Sequence, residues 1–148
     1  MKIVFLANTG VHHALIAANI FLEKLEKDDF RLVKGFCDIS KDVSGFPIFV
    51  GEDKAGNQVY TVGVGDDLNI ARKTIEELAQ MFGYSSRDLV VKPVSIKGER
   101  LISLLSKIPH LLGGSYLNLH ISSYIIKLNF ARLFEEISVF KAQLNIAP

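Results

Sequence analysis

The feature that most constrains the fold is an apolar run at residues 2–7 that ends in the polar segment Asn-Thr-Gly-Val-His-His at residues 8–13. A continuous apolar run of this length, closed by turn formers, is typical of a strand buried on both faces of a sheet. Apolar residues then recur at helical spacing from about residue 11 to residue 26. The sequence therefore predicts a strand–helix unit with residues 8–13 at its corner.

Length and composition favour a single globular domain over residues 1–148, because 49% of the residues are hydrophobic and 22% are charged. The net charge of +1 provides no field to attract nucleic acid or an anionic membrane, and neither is expected as a partner. Cys37 is the single cysteine, which suits a reducing compartment. No run approaches the roughly 20 apolar residues of a membrane span. We expect a soluble, cytoplasmic protein.

Periodicity and turn residues define the remaining elements. Strands are predicted at residues 47–51, 58–64, 88–96 and 116–121, and helices at residues 66–82, 99–108 and 122–144. The first two of these strands form a hairpin, and Pro93 places the third at an edge or a bulge. Residues 28–45 fit neither period, and a short helix or irregular structure is expected there. Alternation of strands with helices predicts an α/β fold: a three-layer, mostly parallel sheet of about five strands with an inserted β-hairpin and helices on both faces.

Ligands of open α/β sheets bind outside the carboxyl ends of the strands. Three connections are expected to converge there, at residues 8–13, 95–99 and 120–123. Free N–H groups and the helix dipole make the first of them a natural seat for an anion. The candidate ligand-binding residues are Asn8, Thr9, Gly10, Val11, Lys97, His120, Ser122 and Ser123.

His12 and His13 are the candidate catalytic residues, because histidine titrates near neutrality and a following helix favours its neutral form. The structural alternative is that one ring packs or caps while the other is solvated. Adjacent histidines diverge, and neither His110 nor His120 adds a metal-ligand spacing, so no metal site is predicted. The chain lacks the P-loop and G-x-G-x-x-G patterns, which disfavours a P-loop hydrolase or a dinucleotide fold. No cofactor is identified.

Residues 49–60 (FVGEDKAGNQVY), taken with the opening strand and Gly10-Val11-His12, resemble a bacterial family designated domain of unknown function 3189. The resemblance implies the same order of elements over nearly the whole chain. The family's opening corner looks richer in glycine and has a hydroxyl residue where this chain has His13. The family name supplies no reaction.

Two functional hypotheses stay open. The first is a domain that binds a small anionic ligand, phosphate-bearing or a nucleotide, at residues 8–13; phosphoryl transfer or hydrolysis fits this site best if the protein is an enzyme. The second is a non-enzymatic interaction or regulatory module, which docks a partner or a second copy of itself through the hairpin or the C-terminal helix.

Overall fold

The computed structural model describes residues 1–43, 45–108 and 114–146. Its strands are β1 (Lys2–Ala7), β2 (Ile48–Glu52), β3 (Gln58–Gly63) and β4 (Leu89–Pro93), and its helices are α1 (His13–Phe21), α2 (Leu68–Met81), α3 (Glu99–Leu105) and α4 (Gly114–Ile146). Two short 3-10 turns, Phe30–Leu32 and Ile39–Lys41, occupy the segment for which irregular structure was expected.

The four strands form one open, mixed sheet in the order β2-β3-β1-β4. β1 pairs in parallel with both β3 and β4, whereas β2 runs antiparallel to β3. The predictions of an α/β fold and of a hairpin are confirmed. The strand predicted at residues 88–96 ends at Pro93 and lies at an edge of the sheet, which is one of the two positions that Pro93 indicated. The prediction of about five strands is wrong for the described residues, which contain four.

β1 is buried on both of its faces, as its apolar run predicted. Ile3, Phe5 and Ala7 belong to one core cluster with residues of α1 and α4, whereas Val4 and Leu6 belong to a second cluster with residues of α2. Successive side chains of a strand point to opposite faces of the sheet, so the two clusters lie on opposite faces of β1.

The predicted strand at residues 116–121 is instead part of α4, and Ser122 and Ser123 lie inside this helix rather than at its start. The alternation of six residues is too short to outweigh a helical pattern that continues beyond it. The helix buries residues at helical spacing, namely Asn118, Ser122, Ile126, Leu133 and Ile137. No helix in the described part of the chain combines the length and apolar character needed to span a membrane.

The helical spacing of α2 predicts one apolar face formed by Ile70, Ala71, Thr74, Ile75, Leu78 and Phe82. This prediction is only partly correct. Ala71 and Ile75 pack against the cluster of Val4 and Leu6, together with Leu68. Ile70 and Phe82 are 66% and 78% exposed, so the buried side of α2 is narrower than predicted.

The hairpin between β2 and β3 is confirmed, and its turn is held by Asp53. The carboxylate of Asp53 accepts hydrogen bonds from the backbone N–H groups of Ala55 and Asn57, at 2.9 Å each. Gly56 has φ of +79°, a conformation that favours glycine. Turn chemistry therefore fixes the connector that the sequence had indicated.

Replacing Leu133 by alanine is expected to destabilise the fold, because this side chain of α4 is 1% exposed within the main core cluster. A buried Leu→Ala change costs about 2–5 kcal/mol in the free energy of unfolding. Leu128 on the same helix is 68% exposed, and Leu128→Ala is the matched control, expected to change stability by less than about 0.5 kcal/mol. Urea unfolding measures both, and equal losses would show that α4 does not pack as described.

Candidate functional site

The corner after β1 is buried, although it carries polar groups. All six residues from 8 to 13 are buried, and His12 and His13 have no exposed surface. Backbone hydrogen bonds to the segment after β3 continue into the corner. The Val64 N–H donates to the Ala7 carbonyl oxygen, and the Gly65 N–H donates to the Asn8 carbonyl oxygen. The polar corner therefore lies inside the protein, and its groups need partners there.

Gly10 and Gly63 bring two backbones into close approach at the corner. A Cβ atom on Gly10 would lie 3.0 Å from the Gly63 nitrogen, and one on Gly63 would lie 2.8 Å from the Gly10 nitrogen and would collide with Asp42 Oδ1. The Gly10 N–H donates to Asp42 Oδ1 at 2.8 Å. The two glycines therefore form a cradle, and a carboxylate of the chain itself lies in it.

His12 is held by a buried hydrogen-bond chain that joins the corner to α4. Its Nδ1 lies 2.7 Å from Thr9 Oγ1, and its Nε2 lies 3.0 Å from Asn118 Oδ1. Because the amide oxygen can only accept, Nε2 carries the proton and the Thr9 hydroxyl donates to Nδ1. Ser122 Oγ also donates to Asn118 Oδ1, at 2.9 Å. Burial lowers the pKa of His12 to about 4, and the Asn118 hydrogen bond opposes this only in part.

His13 is buried, and neither ring nitrogen makes a well-aligned hydrogen bond in the described part of the chain, although the Val94 backbone lies within reach of the ring. Its Nε2 lies 3.6 Å from Glu99 Oε2, too far for a good hydrogen bond. Burial, reinforced by the neighbouring His12, lowers the pKa of His13 to about 3. Both rings are therefore neutral at physiological pH.

This geometry limits the chemistry of the two histidines. Both nitrogens of His12 are engaged, and neither ring reaches the surface. In this arrangement His12 positions the corner against α4, and a proton transfer to a ligand would require these hydrogen bonds to open. Among residues 1–43, 45–108 and 114–146, no three His, Cys, Asp or Glu side chains form a group able to hold a metal ion.

The other predicted site residues do not all converge on the corner. Ser122 does, through Asn118. The His120 ring is exposed on α4 and stacks on Tyr116 with 4.2 Å between ring centroids. Ser123 donates to the Leu119 carbonyl oxygen. The 120–123 connection predicted after a last strand is therefore wrong, because these residues are helical and only one of them faces inward.

Lys97, the predicted counter-charge, follows β4 on an exposed turn. Its backbone N–H donates to Asn129 Oδ1 at 3.3 Å. Lys97 is not among the residues that line the cavity beside the corner. The structure therefore brings together residues 8–13 and Ser122, and it leaves Lys97, His120 and Ser123 elsewhere.

A cavity of about 950 Å³ adjoins the corner at Gly10 and Val11. Four lysines line it, namely Lys24, Lys27, Lys34 and Lys41. Sequence reasoning missed these residues together with Asp42, Gly63 and Asn118. None of these residues lies in a recognisable local sequence motif. Only the irregular pattern of residues 28–45 indicates a loop that could cover the corner.

Because burial lowers the pKa values of both histidines, the free energy of unfolding is expected to depend on pH. An unfolded histidine binds a proton near pH 6.5, whereas His13 in the fold does so only near pH 3. Between these values the unfolded state binds more protons, so the free energy of unfolding falls as the pH falls, by about 1.4 kcal/mol per pH unit for each such histidine. In His13→Leu this slope between pH 6.5 and pH 5 should decrease by about that amount.

Urea unfolding at a series of pH values measures the slope. His120→Leu is the matched control, because the His120 ring is exposed, and it should keep the wild-type slope. An unchanged slope in His13→Leu would contradict the burial of a neutral His13.

The chain matches a family model described as a protein of unknown function (DUF3189) over residues 2–142. It matches no curated protein and no solved structure. The match covers nearly the whole sequence, including the corner, the hairpin and most of α4. The chain therefore belongs to the DUF3189 family.

Proposed function

We propose that this protein binds a small anionic ligand, phosphate-bearing or a nucleotide, at the corner that follows β1. The observation that carries the proposal is the hydrogen bond from the Gly10 N–H to the carboxylate of Asp42, at 2.8 Å. A negative group of the chain itself already occupies the cradle between Gly10 and Gly63. We infer that Asp42 stands in for the anionic group of a ligand.

The electrostatic setting of Asp42 supports this inference. No Lys or Arg of the described residues forms an ion pair with it. Burial raises the pKa of Asp42, and the Gly10 N–H opposes this rise. The carboxylate is therefore held by a backbone N–H group rather than by a cation, and helix N-termini and their preceding loops bind anions through such groups.

The start of α1 has the N–H donors to bind an anion with more acceptor oxygens than one carboxylate. This helix has no acidic residue in its first turn and no side-chain hydrogen bond at its N-cap, His12. The first N–H groups of a helix lack partners within it, and the helix dipole places partial positive charge there. A phosphate group presents more acceptor oxygens to these donors than the single oxygen of Asp42 bonded to Gly10.

Two buried amide side chains, one in the corner and one on its partner helix α4, have atoms without hydrogen-bond partners among the described residues. These atoms are Asn8 Oδ1 and Asn118 Nδ2. Folded proteins leave few such atoms unpaired. Their location in the corner, and on the residue that bonds His12, supports a site whose polar groups are completed by a ligand.

Binding is better supported than turnover. Phosphoryl transfer or hydrolysis at this corner would call on His12, whose two nitrogens are both engaged. Burial also raises the pKa of the Cys37 thiol to about 12, which makes it a poor nucleophile. This unreactive single cysteine is consistent with a cytoplasmic setting, and the two core clusters support the three-layer arrangement.

A second candidate function, an interaction module that docks through its C-terminal helix, is favoured by one observation. Leu117, Tyr124 and Leu128 lie on one side of α4 and are 40%, 63% and 68% exposed. An apolar stripe on a surface helix is a common feature of interfaces. This role is compatible with an anion site, because the stripe is separate from the buried face of α4.

Removing the Asp42 carboxylate tests the proposed function. In Asp42→Ala the cradle loses its own anion, so inorganic phosphate should bind about tenfold more tightly than to the wild type, a change of about 1.4 kcal/mol. Asp42→Asn keeps the size of the side chain and loses the charge, and it should give a smaller gain. Calorimetric titration with phosphate measures the affinity, and circular dichroism verifies the fold.

Asp67→Ala is the matched control, because Asp67 is exposed and makes no side-chain cap on α2. It should leave phosphate binding at the wild-type level. Phosphate affinities that are equal in all four proteins, or an absence of binding to Asp42→Ala, would overturn the proposal.

A further inference from the structure

The lining of the cavity beside the corner differs in chemistry between Gly10 and Lys24. The cavity lies between α1 and the following segment on one side and β2 on the other. At one end Ile48 Cδ1 lies 3.4 Å from the position of a Cβ on Gly10. At the other end Lys24 Nζ lies 2.5 Å from the position of a Cβ on Gly51. Strand β2 therefore runs from the anion cradle to an ammonium group.

The separation of the two ends follows from the geometry of β2. Ile48 and Gly51 are three residues apart on this strand, which corresponds to about 10 Å at 3.3 Å per residue. A register irregularity lies between Phe49 and Gly51, so Val50 is the extra residue of the strand at the cavity wall. The bulge and the absent side chain of Gly51 leave room for Lys24 along the strand.

The wall between the ends is largely apolar. The apolar lining residues are Val11, Leu15, Leu25, Leu32, Val33, Ile48, Phe49 and Val50. Side chains of this kind favour an apolar body over a hydrated one. A small inorganic anion would fill little of a volume of about 950 Å³.

The cavity lining carries an excess of positive charge. Lys24, Lys27 and Lys34 line the cavity and form no ion pair with any described residue, whereas Glu26 and Asp29 are the opposing carboxylates of the lining.

A third lining carboxylate, Glu23, is neutralised from outside the cavity. It accepts hydrogen bonds from Lys54 at 2.8 Å and from Lys141 at 2.9 Å. Lys24, at the Gly51 end of the cavity, is therefore available to a second negative group.

We propose that the ligand is an elongated dianion with an apolar middle, one anionic group lying at the Gly10 cradle and the other at Lys24. This inference rests on the proposed function, because it assigns the first anionic group to the same cradle. The ligand class is defined by two negative groups about 10 Å apart on an apolar spacer. A carboxylate or a phosphate serves at either end.

Three probe ligands distinguish binding at both ends of the cavity from binding at one end. Decanedioate has two carboxylates at about the required 10 Å separation. Decanoate has the same apolar body and one carboxylate, whereas butanedioate has two carboxylates that are too close together. We expect decanedioate to bind about tenfold more tightly than either of the others in calorimetric titrations of Asp42→Ala, whose cradle is free of its own carboxylate.

Lys24→Gln assigns the second end. Combined with Asp42→Ala, it should remove the advantage of decanedioate over decanoate and leave decanoate binding unchanged. Lys73→Gln, which changes an exposed lysine of α2 outside the cavity, should preserve the advantage. Persistence of the advantage in Lys24→Gln would overturn the assignment of this end.

The failure of this inference is distinguishable from the failure of the proposed function. If Asp42→Ala binds phosphate more tightly than the wild type while decanedioate and decanoate bind equally, the dianion is excluded and the anion cradle stands. If no phosphate and no carboxylate binds to Asp42→Ala, both proposals are excluded.

Discussion

The polar corner at residues 8–13 has to be satisfied inside the protein, and much of the tertiary structure meets that requirement. Its partners come from distant parts of the chain. Asp42 accepts from Gly10, Asp66 accepts from the Asn8 side chain at 2.9 Å, and Asn118 accepts from His12. Unpaired polar groups in an interior are costly, so these contacts fix where the irregular segment, the start of α2 and α4 must lie.

Burial of the corner also makes its residues better suited to binding a ligand than to catalysis. A histidine that serves as a proton shuttle needs a pKa near the working pH and a free nitrogen. Burial moves the pKa values of His12 and His13 far below neutrality, and His12 uses both of its nitrogens within the fold. The backbone donor on Gly10 faces Asp42 beside the cavity. The main-chain groups of the corner, rather than its imidazoles, are therefore the better candidates for contact with a ligand.

Helices and strands with a clear local sequence pattern were predicted correctly. The apolar run of β1, the turn chemistry around Asp53 and the helical spacing of α2 all had clear patterns, and each element was confirmed. The six-residue alternation at residues 116–121 misled because strand and helix periods are hard to separate over so short a stretch. Asn118, in the middle of this stretch, is a buried residue of α4 that hydrogen-bonds His12.

The site was predicted only in part, because a site depends on contacts between distant residues. Residues 8–13 were identified from the strand-to-helix transition, which is a local feature. Asp42 lies 32 residues from Gly10 along the chain, and nothing in its neighbourhood indicates that it reaches the corner. Lys24 lies in a segment read as an ordinary solvated helix face, and its place in the cavity depends on the glycine at position 51 of the neighbouring strand.

The central claim is that the Gly10 N–H is a hydrogen-bond donor for an anionic ligand, and that the Asp42 carboxylate takes the place of this ligand in the structure. The most direct measurement is the amide proton and nitrogen chemical shifts of Gly10 and Gly63 during a titration of phosphate into ¹⁵N-labelled Asp42→Ala protein. The account predicts that the Gly10 amide shows the largest change, with Gly63 changing at the same phosphate concentrations. Phosphate-dependent shifts confined to surface lysines, with Gly10 unmoved at saturation, would contradict it.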